Sequence, residues 1–473
     1  MVKLIQGMPT IQINLDYFIN LGNLPFPMML ARLFLDGGWI IFLAVLIKGG
    51  WMLWVQWRQE KYATGLSHTI LAIDIPRQNE QTAKAVEQIF SHIAGAYSGL
   101  DNYEKYWLGK FQGTFSFEIA SLGGYVQFFV HCQNKYRDLV ESAFYAQYPD
   151  AEIVEVTDYT GEVPSRFPDE DWDLFGTEFI LKRPSHLPIR THIQFEHSIA
   201  EDPFKDPMSG MLEVMSSLKP GEHLWLQFLI TPTDTGWRDK GEVEVAKMAG
   251  RKKAPKKSVV QSVIEMPMQA VQELTGIGAS AEPTKDSGKS TDLLLTLTPG
   301  ERQVLEAIQF KLSKIGFETK IRMVYSGRRG VFSKGRVTML KGAMGQFTAL
   351  NMNEFKGYGP VTTKTDYFYQ RWTNPSKQMT ILRNYRKRSR AGATPYILNI
   401  EELATVYHFP VWQVKAPLVK KTEAKRSEPP PRLPTAEAEQ ERPFRPVTPP
   451  APPPEEEEEE RPPGGPPEDL PFA

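Results

Sequence analysis

Ser287-Gly288-Lys289-Ser290-Thr291 is the run in this sequence closest to a chemical device. A phosphate loop needs Gly-x-x-x-x-Gly-Lys-Ser/Thr between a strand and a helix, so that backbone amides can cradle the phosphates. Five residues before Gly288 stands Pro283, the preceding stretch is polar, and the next helix signal waits until Thr298. The run reads as a flexible linker. The histidines are His68, His92, His131, His186, His192, His197, His223 and His408, and none pairs with another at helical metal-ligand spacing. On a strand His192 and Glu196 would share a face and His197 would point away. Cys132 follows His131, but strand neighbours face opposite ways, so the pair is no dyad and Cys132 reads as a small core residue. No Gly-x-Ser-x-Gly elbow supports a serine nucleophile. Asp169, Glu170, Asp171 and Asp173 read as solvated loop charge. No catalytic residue, cofactor-binding residue or metal ligand is assigned, and the sequence reads as non-enzymatic.

Basic clusters are the remaining candidates. Arg328 and Arg329 sit in a Ser-Gly-Arg-Arg-Gly turn. Arg383, Arg386, Lys387, Arg388 and Arg390 form a dense run around Tyr385. With Lys252, Lys253, Lys256 and Lys257 they could neutralise phosphates of DNA or anionic lipid. The chain has 55 Lys and Arg against 56 Asp and Glu, so no overall basic excess favours that over a solubilising or partner-facing surface. A single cysteine excludes an internal disulfide framework.

These residues need elements to hold them. Residues 37–57 are apolar over about the length of a bilayer-crossing helix, with Lys48 as their full charge. Trp51, Trp54 and Trp57 cluster at one end, where amphipathic rings favour the headgroup level, and Arg58 and Lys61 follow. Arg32 and Asp36 are spaced to pair on one helix face. The expectation is a single-pass anchor over 30–62, after an N-terminal segment 1–29, with the folded mass on the cytoplasmic side of the inner membrane. A register from Phe26 to Leu46 and a helix lying flat in the interface are the alternatives. The late start of the apolar run argues against a cleaved signal peptide.

After the anchor the pattern is β-α-β-β-α-β over 63–160. Thr69 to Ile75 is a strand, and Asn79 caps a helix carrying Val86, Ile89, Phe90 and Ile93. Phe115, Phe117 and Ile119 alternate, Gly123-Gly124 turns, and Tyr125 to Gln133 returns. Asn134 opens a helix to Tyr148, and Ala151 to Val156 closes the order. That order predicts a ferredoxin-like unit. Residues 160–176 read as an acidic loop. A second α+β domain, 177–410, has strand candidates at Thr177 to Lys182, Ile189 to Phe195, Glu222 to Thr231 and Glu318 to Tyr325. Thr298, Pro299 and Glu301 predict a capped helix with Val304, Ile308, Leu312 and Ile315 buried. A basic insertion occupies 233–297, with an amphipathic helix near Val259 to Leu274. The Pro/Glu-rich stretch 421–473 cannot bury enough apolar surface to fold. The fold class is therefore α+β, a transmembrane helix followed by two ferredoxin-like units and a disordered tail.

One segment carries a family likeness. Leu398 to Pro410 (Leu-Asn-Ile-Glu-Glu-Leu-Ala-Thr-Val-Tyr-His-Phe-Pro), Val414 to Val419 and Lys420 to Pro434 follow one another. This run resembles the membrane-anchored, non-motor region of type IV secretion-like DNA-transfer ATPases from candidate-phyla (Patescibacteria-like) bacteria. The turn at Ser326 to Gly330 and the run Arg383 to Arg390 fit the same resemblance. It implies an accessory module beside a motor ATPase. In such proteins the segment leads into a nucleotide-binding domain; here it leads into the Pro/Glu stretch, so no catalytic residue is carried over. The implied docking residues are Glu401, Glu402, Leu403, Tyr407 and Phe409. Read from the residues alone, Asn399 caps a short helix that docks on its own domain. The expected partners are the lipid bilayer, a motor ATPase, DNA and further copies of the chain.

Overall fold

The alternation at Phe115, Phe117 and Ile119 belongs to strand β2 (Phe115–Leu122), and β3 (Tyr125–Gln133) returns beside it. Gly123 and Gly124 both take positive φ, 61° and 96°, as a two-residue hairpin turn of this twist requires. The computed structural model describes residues 23–76, 79–197, 206–248, 297–364, 367–368 and 370–410. The Ser287 to Thr291 run, the lysines at 252–257, the 259–274 helix, the segment after Pro410 and the 421–473 tail lie outside the described residues.

Strand β1 (His68–Asp74) precedes helix α3 (Ala83–Ala94), and helix α4 (Arg137–Gln147) leads into β4 (Glu152–Glu155). Thr82, not Asn79, caps α3: its side chain accepts from the Lys84 amide. Asn79 instead reaches across the fold and donates from Nδ2 to the Pro410 carbonyl, 3.2 Å away.

The second half supplies β5 (Trp172–Leu181), β6 (Glu222–Pro232), β7 (Gly316–Arg328), β8 (Phe355–Gly357) and β9 (Tyr396–Asn399). Between them run α5 (His192–His197), α6 (Ser209–Ser216), α7 (Trp237–Met248), α8 (Pro299–Ser313), α9 (Lys334–Gly345), α10 (Gln370–Arg386) and α11 (Ile400–Val406). All nine strands form one antiparallel sheet in the order β4-β1-β3-β2-β6-β7-β5-β8, with β9 beside the start of β7. Outward from the central β2–β6 pair, each half runs second, third, first, fourth strand. The molecule is thus mixed α+β around a large antiparallel sheet. The two expected domains are halves of this one sheet, because β2 and β6 pair over eight residues from Phe115↔Ile230 to Leu122↔His223.

Both faces are covered, which is why β6 is buried along its whole length. One face carries Phe117, Ile119, Phe128, Leu226 and Phe228 under α3, α4, α6, α9 and α11. The other carries Ala72, Phe129, Trp225 and Val324, covered by Tyr159, Val163 and Phe167 and by Ile381, Leu382 and Tyr385 of α10. The sequence reads residues 160–176 as an acidic loop. Val163 and Phe167 from this stretch roof the second face, and β5 begins inside it at Trp172.

The expected strand at Ile189 to Phe195 is also corrected: residues 189–191 are irregular and α5 takes over from His192. The Ile189 and His192 amides donate to Glu402 Oε1 and Thr405 Oγ1, both at 2.9 Å, so side chains of α11 take the place of a strand neighbour. The capping box of α8 forms as the sequence predicts, with Glu301 N donating to Thr298 Oγ1 and Thr298 N to Glu301. Its buried stripe is Leu305, Ile308 and Leu312, while Ile315 is exposed.

At the N-terminal side, α1 (Phe26–Leu33) and α2 (Trp39–Thr64) flank a break at Gly37, whose φ is +132°. Arg32 and Asp36 pair at 3.1 Å. Among the described residues no single helix is long and apolar enough to cross a membrane. The bent pair Phe26–Gly38 and Phe42–Thr64, at 68° to each other, has the length and composition together. Of the span expected over 37–57, all but the first two residues lie in the continuous helix α2, and the break at Gly37 falls at its N-terminal edge.

Candidate functional site

Glu118, Gln227, Arg322 and Glu178 come from four adjacent strands, β2, β6, β7 and β5, and oppose one another directly. Each is flanked in sequence by apolar or small residues, the pattern of a strand with one wet face. Yet all four are completely buried. They form a polar row across the join between the two halves, under the arginine run that the sequence offered for phosphate binding.

The row is satisfied by that run. Arg322 donates from Nε to Glu178 at 2.6 Å, from Nη1 to Gln227 Oε1 and the Asn384 carbonyl, both at 3.0 Å, and from Nη2 to the Ser389 and Ala391 carbonyls. Arg388 forks onto Glu118, with Nε at 3.1 Å and Nη2 at 3.2 Å, and pairs with Asp158. Its φ of 46° is left-handed, the one such non-glycine value among the described residues. Glu118 also accepts from Ser116, Gln227 and the Tyr159 hydroxyl. Burial alone would push Glu118 up, but Arg388 outweighs it and holds the carboxyl below its ordinary value. Lys320 donates to the Arg390 and Ala391 carbonyls, and burial lowers it to about 8 against the pull of Glu178. Gly392 has φ +111°, and a Cβ there would sit 2.5 Å from the Glu178 carboxylate. Charge-assisted hydrogen bonds of this kind repay the cost of desolvating ions only when nearly every donor and acceptor is matched.

The candidate binding residues therefore divide. Arg388 is turned inward. Arg386 donates to the carbonyls of Thr160, Val163 and Pro164, tying the roof together. Arg390 is exposed but pairs with Glu318. Arg383 and Lys387 face solvent. Arg328 and Arg329 are exposed in the turn after β7; Arg328 lies over the Trp172 ring and Arg329 donates to the Asp169 carbonyl. The structure does not assemble a single basic patch from these residues. In the acidic loop, Asp169 accepts from the Asp171 and Trp172 amides, both at 3.0 Å, and so shapes the start of β5.

The implied docking residues are also inside. Glu401, Glu402, Leu403, Tyr407 and Phe409 are all buried, so α11 and the residues that follow it present none of them to a partner. Its own capping box, Asn399 with Glu402, fixes the start of the helix. Glu402 pairs with the buried Lys311 at 2.8 Å, and Glu401 with Lys314 at 2.5 Å. The Tyr407 ring lies among Phe90, Phe117, Phe128 and Phe228, so it touches strands of both halves. His408 contacts Asp206 through Nε2 at 2.7 Å and the Ala404 carbonyl through Nδ1 at 2.8 Å. Burial works against charge on His408, yet Asp206 wins and its pKa is raised.

Of the other histidines, His68 and His131 stack at 5.1 Å, and His192 lies 3.4 Å from Glu87. Burial shifts His192 down to about 4 and Glu87 up, which favours the neutral forms of both. Among the described residues no group of three or more His, Cys, Asp or Glu is arranged to hold a metal ion. A cavity of about 290 Å³ opens beside β5 and α9, lined by Asp173, Phe175, Lys334, Lys341, Thr363 and Asn374; none of the buried row lines it.

Sequence reasoning missed the row because alternation assigns Glu118, Gln227, Arg322 and Glu178 to a wet face. The available signal was the company they keep. Ala120, Trp225 and Val324 share that face, and a Trp between two polar positions marks a covered surface.

Fold and site define a two-half α+β sheet module, closed on one face by helices that include α11 and on the other by an arginine-bearing strap, and preceded by apolar helices. The chain belongs to the family described as Domain of unknown function (DUF8128), whose model matches residues 67–422. No curated protein matches the chain.

Proposed function

We propose that this chain is a membrane-anchored, non-catalytic interaction module of a type IV secretion-like DNA-transfer system, held at the cytoplasmic side of the inner membrane beside a separate motor ATPase. The observation that carries the anchoring is the surface of α1 and α2. Phe42, Ile47 and Met52 fall on three different sides of α2 by helical spacing and are each about two-thirds exposed (60%, 63% and 63%). A helix apolar all round is a lipid-facing element rather than a surface helix of a water-soluble fold. Trp51, Trp54 and Trp57 with Arg58 and Lys61 suit the headgroup level at its far end. We read each half of the sheet as ferredoxin-like, the second decorated by α10, β9 and α11, because each has the strand order four, one, three, two.

With α11 buried, a motor or a second copy of the chain would dock on another surface. The test has two arms. Membranes washed with carbonate should retain the protein, and replacing Leu43 and Leu46 by Arg should release it. Pull-down of the detergent-extracted chain should return a motor ATPase; the absence of any motor component removes the DNA-transfer assignment. A nucleic-acid role would now rest on Arg328, Arg329, Arg383 and Lys387. Neutralising them should lower the salt slope of DNA binding, and binding indifferent to those changes rejects that role.

A further inference from the structure

The loop between α3 and β2 carries Tyr103, Tyr106, Trp107 and Leu108 in one π-helical turn, Tyr103–Leu108. Tyr103 and Trp107 are 60% and 57% exposed, an unusual amount of aromatic surface for a loop in water. The loop is built onto the aromatic end of α2. Trp107 lies 6.0 Å from Trp54, and Tyr106 lies 5.7 Å from Trp51, ring centre to ring centre. Arg58 donates from Nε to the Trp107 carbonyl at 2.5 Å. Gly109 closes the turn at φ +72°, where a Cβ would come within 2.4 Å of the Arg58 backbone, so glycine alone permits this approach. Lys110 pairs with Glu104 at 2.7 Å and fixes the base of the loop.

The result is one surface made from two distant stretches of sequence. Aromatic rings form its body, and Arg58, Lys61 and Lys105 stand at its rim, each over a ring of the patch at 5.3–5.8 Å. Rings with an apolar body and a polar tip, edged by cations, fit the headgroup layer of an anionic bilayer. We propose that the loop Asp101–Lys110 is a second membrane contact, which lies in the headgroup layer beside α2 and sets the sheet module close against the bilayer. This deepens the anchoring reading and rests on it. Two observations select lipid as the occupant: the patch is continuous with the apolar surface of α2, and its rim cations complement anionic headgroups.

The experiment uses the full chain reconstituted into liposomes of phosphatidylethanolamine and phosphatidylglycerol. An environment-sensitive fluorophore is placed by Leu108→Cys, with Glu306→Cys on exposed α8 as the control. Cys132 stays in place, because it is buried and burial pushes its thiol up to about 12. The expected result is a blue shift at position 108, with quenching by lipids spin-labelled in the headgroup, and no change at position 306. The paired change Tyr103→Ser with Trp107→Ser should abolish the shift while the protein still floats with the liposomes. Flotation with an unshifted probe at 108 overturns the loop contact and leaves the anchor standing. Failure to float overturns the anchor, and the loop contact with it.

Discussion

Arg322 and Glu178 are wholly removed from water, and each holds the other's charge in place. Removing one partner of such a pair leaves an uncompensated ion and costs about 3–5 kcal/mol, whereas replacing both with apolar side chains costs much less. Arg322→Met and Glu178→Leu should each lower the unfolding midpoint sharply, and the double change should recover much of the loss. Equal additive losses in a double-mutant cycle would refute the coupling. The histidines give a pH signature with two limbs. Burial lowers His131 and His192 to about 4, below the ordinary value near 6.5. Stability from each is complete above about 6.5 and falls as pH drops toward 4, with a slope no steeper than about 1.4 kcal/mol per pH unit. His408 runs the other way. Its raised pKa stabilises fully below about 6.5, and that contribution is lost as pH rises through the folded value. Thermal midpoints across pH 4–9 should show His131→Asn flattening the acid limb and His408→Asn flattening the alkaline one.

Elements differ in how openly the sequence declares them. Helix α8 was legible because its signal is local: Thr298, Pro299 and Glu301 satisfy the first backbone amides whatever packs above them. Thr298→Ala should cost about 1 kcal/mol, read as a shift in denaturation midpoint. Helix α5 was not legible, since Ile189, Thr191 and Ile193 alternate like a strand across its start, and long-range bonds to Glu402 and Thr405 decide otherwise. Helix α10 holds Pro375 and lacks an apolar stripe of helical period. The Arg383 to Arg390 run in and after it looked like a surface because nothing nearby in sequence announces Glu118 or Glu178. The short helix α11 could be read in two ways from its residues, and its aromatic end decides the matter by packing inward. Tyr407→Ala should cost about 3–5 kcal/mol, in the range of large aromatic truncations, and should expose Phe117 and Phe228 together. An unchanged melting temperature would contradict its place at the join.

At the scale of the molecule, the halves share a sheet, a core cluster on each face and the α11 closure. The sequence pattern revealed β1 to β4 and, in the second half, β5, β6 and β7, but missed β8, β9 and the union of the halves, because pairing between β2 and β6 is a contact across more than a hundred residues. Calorimetry should record a single transition for residues 67–410 within the full chain, with calorimetric and van't Hoff enthalpies equal; two resolved transitions would mean that the halves fold apart. The join has one more consequence. By pairing β2 with β6, each half hides a long strand edge that would otherwise stand open. What is left at the two ends of the order is β4, four residues, and β8, three residues, and where β8 stops the outer edge of β5 is met at Glu178 by the Tyr358 amide and at Gly176 by Thr363. Short rims offer few unpaired amides and carbonyls to recruit a foreign strand, so the chain is guarded against sheet-to-sheet aggregation at the crowded surface where we place it.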